Sequence, residues 1–510
     1  MAATSLEFAV FSAIGVIFYY IIPKNLRWIV LLLLSYIFYI SGGIGMLFYL
    51  LFTTVTTYIF ARAIGKVKKG ETKEEKLKAK RKKRIFASLA LILNFGLLYF
   101  VKYWNFTMDL IKVPGTIMRV DILLPLGISF YIFQSMGYII DVFRGKYEPE
   151  KNIFKFALFV SFFPQLTQGP IGRFDKLAPQ LYKGNEFSFD NIKEGLKLLL
   201  WGYIKKLVIA DRASVVACAV IDNYTNYSGS LILFGVIFYC IQLYCDFSGG
   251  IDIIRGIARL FGVDMAHNFR RPIFARSLAD FWRRWHITLG AWLKDYLFYP
   301  ITLSKPFINL GKFLRKHIKG KAGKILPTSL ATFIVYFVIG IWHGASWKYI
   351  LFGCWNGVII TVSLLLEPYF ISIKKKLSIK ENSIFYIILT IIRTNFIVVL
   401  GRYITRAAGV GDALNMLKST FFDFSLSSLF GGTLMNLGLT MYDYLVILIG
   451  VVLIFILELG DELGVRMTEK IEKKGIVPTF LMIFLSVLIF VIFGIFRGDY
   501  IASEFIYKQF

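Results

Sequence analysis

Histidine and cysteine are scarce in this chain of 510 residues, with four of each, and acidic side chains are outnumbered by basic ones, 32 to 59. The cysteines (Cys218, Cys240, Cys245 and Cys354) form no C-x-x-C pair. Neither a disulfide framework nor a zinc site is indicated, and packing roles are expected for all four. No H-E-x-x-H, G-x-S-x-G or Walker A pattern occurs, so zinc-protease, serine-hydrolase and P-loop chemistry lose their usual signatures. A metal site would have to use scattered carboxylates, and nothing in their spacing supports one. No metal and no bound cofactor is expected. Solenoid repeats and Ser/Pro-rich linkers are also missing, which leaves one domain over residues 1–510 rather than modules on a string.

What the chain has in abundance is apolar residues. It is 57% hydrophobic and 18% charged, with a mean hydropathy of +0.64. Uncharged runs recur from end to end, for example around 6–22, 85–101, 325–347, 349–366 and 480–496. Many approach the length needed to cross a hydrocarbon core of roughly 30 Å. The pattern predicts an all-α, polytopic transmembrane bundle with about 10–13 spans. The net charge of +27 is concentrated in loops such as KVKKGETKEEKLKAKRKKR (66–84) and KHIKGKAGK (316–324). Clusters beside apolar segments fix orientation, because Lys and Arg stay on the cytoplasmic side, and they attract anionic headgroups. The bilayer is thus the expected partner, and nucleic acid is not.

Two apolar stretches are broken. SFFPQLTQGPIGRF (161–174) carries Pro164, Gly169, Pro170 and Gly172, so a continuous helix is not expected there. Gln165 and Gln168 would satisfy freed backbone groups or line a watery cavity; an interfacial loop is the alternative. LPLGISFYIFQSMGYIIDVFRG (124–145) has small residues suited to close helix packing.

Two of the four histidines stand out. His343, in GIWHGASW, ends a stretch with no charged residue between Lys324 and Lys348. A neutral imidazole there could act as a general base or as a hydrogen-bonding link between helices. Gly340 and Gly344 on either side would allow a substrate to come close. His286 lies in FWRRWHITL (281–289). The S-x-x-D spacing of Ser277 and Asp280 predicts a helix from Leu278, with Trp282, His286 and Leu293 on one face and Asp280 reaching Arg283 or Arg284. Such a helix suits the rim of a cavity, or equally an interfacial anchor with snorkelling arginines.

Taken together, YCDFSGGIDIIRGIARLFGV (244–263), NFRRPIFARSLADFWRRWHITLGAWLKDYLFYP (268–300) and IWHGASWKYILFGCWNG (341–357) resemble the membrane-bound O-acyltransferase family. The likeness is nearest to its bacterial branch of alginate O-acetylation proteins and teichoic-acid D-alanyl transferases. It is strong over about 123–357, with peripheral helices at 1–122 and 358–510 matching in character only. The resemblance implies a ring of helices around a central acyl-transfer tunnel. It also implies catalysis by His343 as base, supported by His286, with an acyl thioester such as acetyl-CoA as donor substrate. By the same likeness the chain sits in the bacterial cytoplasmic membrane and works with an extracytoplasmic esterase-like partner on a cell-surface polysaccharide. Trp282, Arg283, Arg284, Trp285, Lys294, Gln165 and Gln168 are candidates for holding the donor or lining the tunnel. The end of the chain, FIYKQF (505–510), resembles a C-terminal tyrosine motif of related systems and makes Tyr507 a candidate acyl relay, although Lys508 stands where an aromatic residue is usual. D-alanyl transfer to teichoic acid is the alternative within the family. A polysaccharide or lipid transporter is the alternative outside it, since broken helices and intramembrane polar groups suit transport too.

Overall fold

A computed structural model describes residues 1–68, 70–111, 119–120, 124–166, 168–318, 320, 322–430 and 432–495. Among these residues the secondary structure is helical, apart from one isolated antiparallel bridge between Phe269 and Trp285. Among the described residues eight helices are long and apolar enough to cross a membrane, fewer than the roughly 10–13 spans expected. They bear out the all-α polytopic reading. The apolar run Leu6–Ile21 forms a helix too short for that criterion.

The chain divides into two compact units. The first contains α1 (Leu6–Ile21), α2 (Arg27–Ile40), α3 (Leu47–Lys66), α4 (Lys73–Leu110), α5 (Ile128–Arg144), α6 (Ile153–Ser161), α7 (Phe163–Leu166), α8 (Phe174–Tyr182) and nearly all of α9 (Phe189–Tyr203). Thr72 and Glu75 form a reciprocal capping box at the start of α4, so the basic segment is helical from Lys73 onward. At 38 residues this helix is about 57 Å long, well beyond a hydrocarbon core. Aromatic rings fill the space between α1, α2 and α7, where Phe8, Phe38 and Phe163 lie 5.4–6.2 Å apart.

The proline-containing stretch is interrupted where expected. Helix α6 stops at Ser161, α7 lasts one turn, and residues 169–173 are non-helical. Gln134 of α5 binds across the break: its Nε2 donates to the Phe159 carbonyl at 2.5 Å, and its Oε1 accepts from Gly172 N at 3.1 Å and from Gln165 Nε2. Gly127, with φ +69°, faces the Leu166 carbonyl at 1.8 Å from where a Cβ would stand, so no larger residue fits.

The second unit holds α10 (Asp211–Ile221), α11 (Gly229–Leu260) up to Gly249, α12 (Leu278–Arg284), α13 (Ile287–Leu293), α14 (Tyr299–Thr302), α15 (Lys305–His317), α16 (Ala322–His343), α17 (Trp347–Lys376), α18 (Ile384–Arg406), α19 (Val410–Phe422), α20 (Met441–Glu462), α21 (Met467–Lys473) and α22 (Ile476–Phe493). The remainder of α11 belongs to the first unit. Helix α22 has no buried residue and presents apolar side chains all round, as a lipid-facing span does.

Helices α16 and α17 form a tight hairpin. A Cβ on Gly340 would stand 2.5 Å from the Tyr349 carbonyl and 2.9 Å from Gly353 Cα. A Cβ on Gly344 would strike the Tyr349 ring at 2.6 Å. These glycines therefore admit a neighbouring helix and its ring, in the manner of small-residue membrane packing, and the space expected for a substrate is already filled.

Before α10 the backbone widens into a π-helical turn over Ile204–Ala210. It carries Lys206, whose fully buried ammonium lies 2.6 Å from Asp246 and 2.9 Å from Asp211. Lys206→Met would take away the cation that lies between two buried carboxylates, a loss of about 3–5 kcal/mol. The variant is expected to melt well below the parent in detergent, and an unchanged melting temperature would show that this cluster does not hold the fold.

Candidate active site

The helix predicted from Leu278 begins there, with Ser277 Oγ accepting from Asp280 N at 3.1 Å. Asp280 also meets Arg283 at 3.3 Å and Arg284 at 3.1 Å, as its spacing foretold. The helix does not continue to Leu293. Trp285 is extended and His286 takes a left-handed conformation, φ 48° and ψ 52°, after which α13 starts afresh. A non-glycine residue there is costly and needs an external hold. Asn268 supplies it. Its carbonyl accepts from Ile287 N at 3.0 Å. Its Oδ1 accepts from Thr288 N at 2.9 Å and Thr288 Oγ1 at 2.7 Å. Arg270 N completes the bridge by donating to the Arg284 carbonyl at 2.9 Å.

His286 is thereby placed among aromatic rings. Its centroid lies 5.0 Å from Phe247 and 5.7 Å from Trp342. Trp342 in turn stands 5.2 Å from His343, whose ring also meets Phe352 at 5.9 Å and Tyr349 at 6.3 Å. The two histidines singled out in the sequence thus share one aromatic cluster, joined through Trp342.

The remaining candidates fall into three groups. Trp282 and Trp285 belong to the cluster: Trp282 Nε1 donates to Asn356 Oδ1 at 3.0 Å, and Trp285 is buried against Phe281 and Phe269. Arg284 is held by a two-pronged contact with Glu462, at 2.9 and 3.0 Å, besides Asp280. Arg283, paired with Asp280, and Lys294, lying over the Tyr299 ring at 5.7 Å, are exposed. Gln165 and Gln168 lie in the first unit, both buried. Gln168 has no hydrogen-bond partner for either amide atom among the described residues. Tyr507 lies outside the described residues.

Several residues of the site were not anticipated. Asn268 and Asn356 are polar residues in unremarkable surroundings, and Glu462 lies 178 residues after Arg284. Arg402, inside the span α18, places its guanidinium 5.2 Å from the Trp285 ring, a cation–π contact within the cluster. A charge in an apolar helix was the available signal for it. Among the described residues no group of three or more His, Cys, Asp or Glu could hold a metal.

Burial lowers the His286 imidazole from 6.5 to about 3, so it is neutral at physiological pH. Between those values the unfolded chain binds the proton and the folded one does not. Stability must therefore fall as pH drops from 6.5 towards 3, by up to about 1.4 kcal/mol per pH unit from this group. A His286→Gln variant is expected to lose less melting temperature than the parent between pH 6.5 and 4.5; equal losses would mean that this imidazole is protonated in the fold.

Comparison with known proteins shows the family to which the chain belongs. A probable alginate O-acetylase AlgI from Pseudomonas syringae is 33% identical over 421 residues, covering 81% of this chain and 73% of that protein. A peptidoglycan O-acetyltransferase from Helicobacter pylori is 32% identical over 308 residues, 55% of each chain. A teichoic acid D-alanyltransferase from Bacillus subtilis is 25% identical over 286 residues, 55% of this chain and 68% of that one. The family model for membrane-bound O-acyltransferases matches residues 148–405, a span that contains both histidines and the rings described around them. This multi-pass membrane chain belongs to the membrane-bound O-acyltransferase family, and it is an O-acyltransferase.

Proposed function

We propose that the chain takes an acetyl group from a cytoplasmic thioester, acetyl-CoA being the fitting donor, and delivers it for O-acetylation of a cell-surface polysaccharide. The observation that supports this reading most directly is the cluster joining His286 and His343 through Trp342. In the proposed step a ring nitrogen of His343 takes the proton of an acceptor hydroxyl. The hydroxyl oxygen attacks the thioester carbonyl, the new C–O ester bond forms and the C–S bond breaks. The proton passes from His343 to the departing thiolate, so an ester and a free thiol leave and the imidazole is again neutral. His286, uncharged and packed among rings, shapes the site rather than moving the proton. Arg283 and Lys294 meet the anionic donor. The surrounding helices would form the wall of a tunnel that excludes water from the thioester.

Acetyl rather than D-alanyl transfer is supported by the higher identity and coverage of the O-acetylase relatives, 33% over 81% of the chain against 25% over 55%. The site of action is the bacterial cytoplasmic membrane. The next acceptor is an extracytoplasmic esterase-like transferase, with the Tyr507 phenol as a candidate relay on the strength of FIYKQF alone.

His343→Ala is expected to leave expression and melting near normal and to lower acetyl transfer by about 100- to 10,000-fold, the usual loss on removing a general base. Retained transfer would overturn the assignment of the base. With the parent protein in proteoliposomes, acetyl-CoA is expected to serve as donor and a D-alanyl-charged carrier protein is not; the reverse result would move the chain to the D-alanylation branch.

A further inference from the structure

Asn268 does more than secure the turn. Its side chain is 1% exposed, and which end of the carboxamide is oxygen is fixed by chemistry, because the atom facing Thr288 N must be an acceptor. That oxygen already receives two hydrogen bonds, from Thr288 N and Thr288 Oγ1. The amide nitrogen Nδ2 is left with no partner among the described residues. It is a donor of two protons, buried, rigidly oriented and held at the turn that carries His286. A buried donor is costly to leave unused, yet here the geometry that isolates it is enforced by the hydrogen bonds that shape the site.

We infer that Asn268 Nδ2 donates a hydrogen bond to the carbonyl oxygen of the acyl thioester. Negative charge grows on this oxygen as the hydroxyl attacks and disappears as the C–S bond breaks. A pre-oriented amide proton stabilises that charge without reorganising, which is how an oxyanion site lowers a barrier. His286, with its imidazole neutral and enclosed by Phe247 and Trp342, keeps the setting apolar and so strengthens such a bond. The assignment rests on acyl transfer occurring at the cluster of His286 and His343.

The test is the nearly isosteric Asn268→Asp. An aspartate can keep both acceptor contacts with Thr288; ionised, it puts a charged, acceptor-only oxygen where the amide donor stood, and protonated, it can donate again. In proteoliposomes with acetyl-CoA, Asn268→Asp is expected to keep KM within about threefold and to lose about 100- to 1,000-fold or more in kcat, as when one oxyanion donor is removed, with kcat recovering as the pH falls and the carboxyl takes up a proton. A kcat near the parent's would reduce Asn268 to a structural clamp and overturn the inference. A second measurement does not depend on that variant folding. In His343→Ala, bound acetyl-CoA labelled with carbon-13 at the thioester carbonyl is expected to show a stretching band shifted to lower frequency than the free thioester. An unshifted band would overturn the inference as well. Should His343→Ala retain full turnover, the assignment of the base fails by itself, and the band position still decides the role of Asn268.

Discussion

A backbone that leaves the helix inside a membrane protein must find new partners for its amides, since lipid offers none. This protein meets the demand twice with a carboxamide reaching in from elsewhere in the chain. In the first unit Gln134 binds both sides of the interruption after α6, taking the Gly172 amide and giving to the Phe159 carbonyl. In the second unit Asn268 takes the amides of Ile287 and Thr288 with its carbonyl and side-chain oxygens. Without that second set of bonds His286 could not be held at φ 48°, and the block FWRRWHITL would relax into an ordinary amphipathic helix.

Around that turn the site is tied to several spans at once. Glu462, at the end of α20, grips Arg284 and Arg271. Asn356 of α17 receives Trp282, and Arg402 of α18 lies against Trp285. On α11, Phe247 touches His286 while its neighbour Asp246 is buried against Lys206. The short helix α12 contributes little stability of its own at seven residues. Its position is set by what surrounds it, as expected of a site that must hold reacting groups to within a fraction of an ångström.

How much of this could be read in the sequence depended on the range of the interaction. The start of α12 was legible because Ser277 and Asp280 carry their own cap, and the break after Ser161 was legible because Pro164, Gly169 and Pro170 announce it. The all-helical membrane architecture followed from apolar runs. The end of α12 was hidden, because the contacts that stop it come from Asn268, outside any local pattern. For the same reason the periodicity that put His286 and Leu293 on one face described a helix that the chain does not make. Gly340 and Gly344 were misread as room for a substrate: only the position of Gly353 and Tyr349 shows what fills that room. The family resemblance, resting on the F-W-R-R-W-H and W-H-G blocks, pointed to both histidines, and the structure groups them around Trp342.

The α16–α17 hairpin has a mechanical consequence. Its two helices touch backbone to backbone at Gly340 and Gly353 and are joined by only three residues, 344–346. Such a pair behaves as a single lever, carrying His343 at its fulcrum end. His286 sits on a two-residue kink between short helices, clamped from outside by Asn268. Both imidazoles are thus carried by braced elements, one by glycine contact within the hairpin and one by the clamp of Asn268, so the gap between them is set like that of a vice with two fixed jaws.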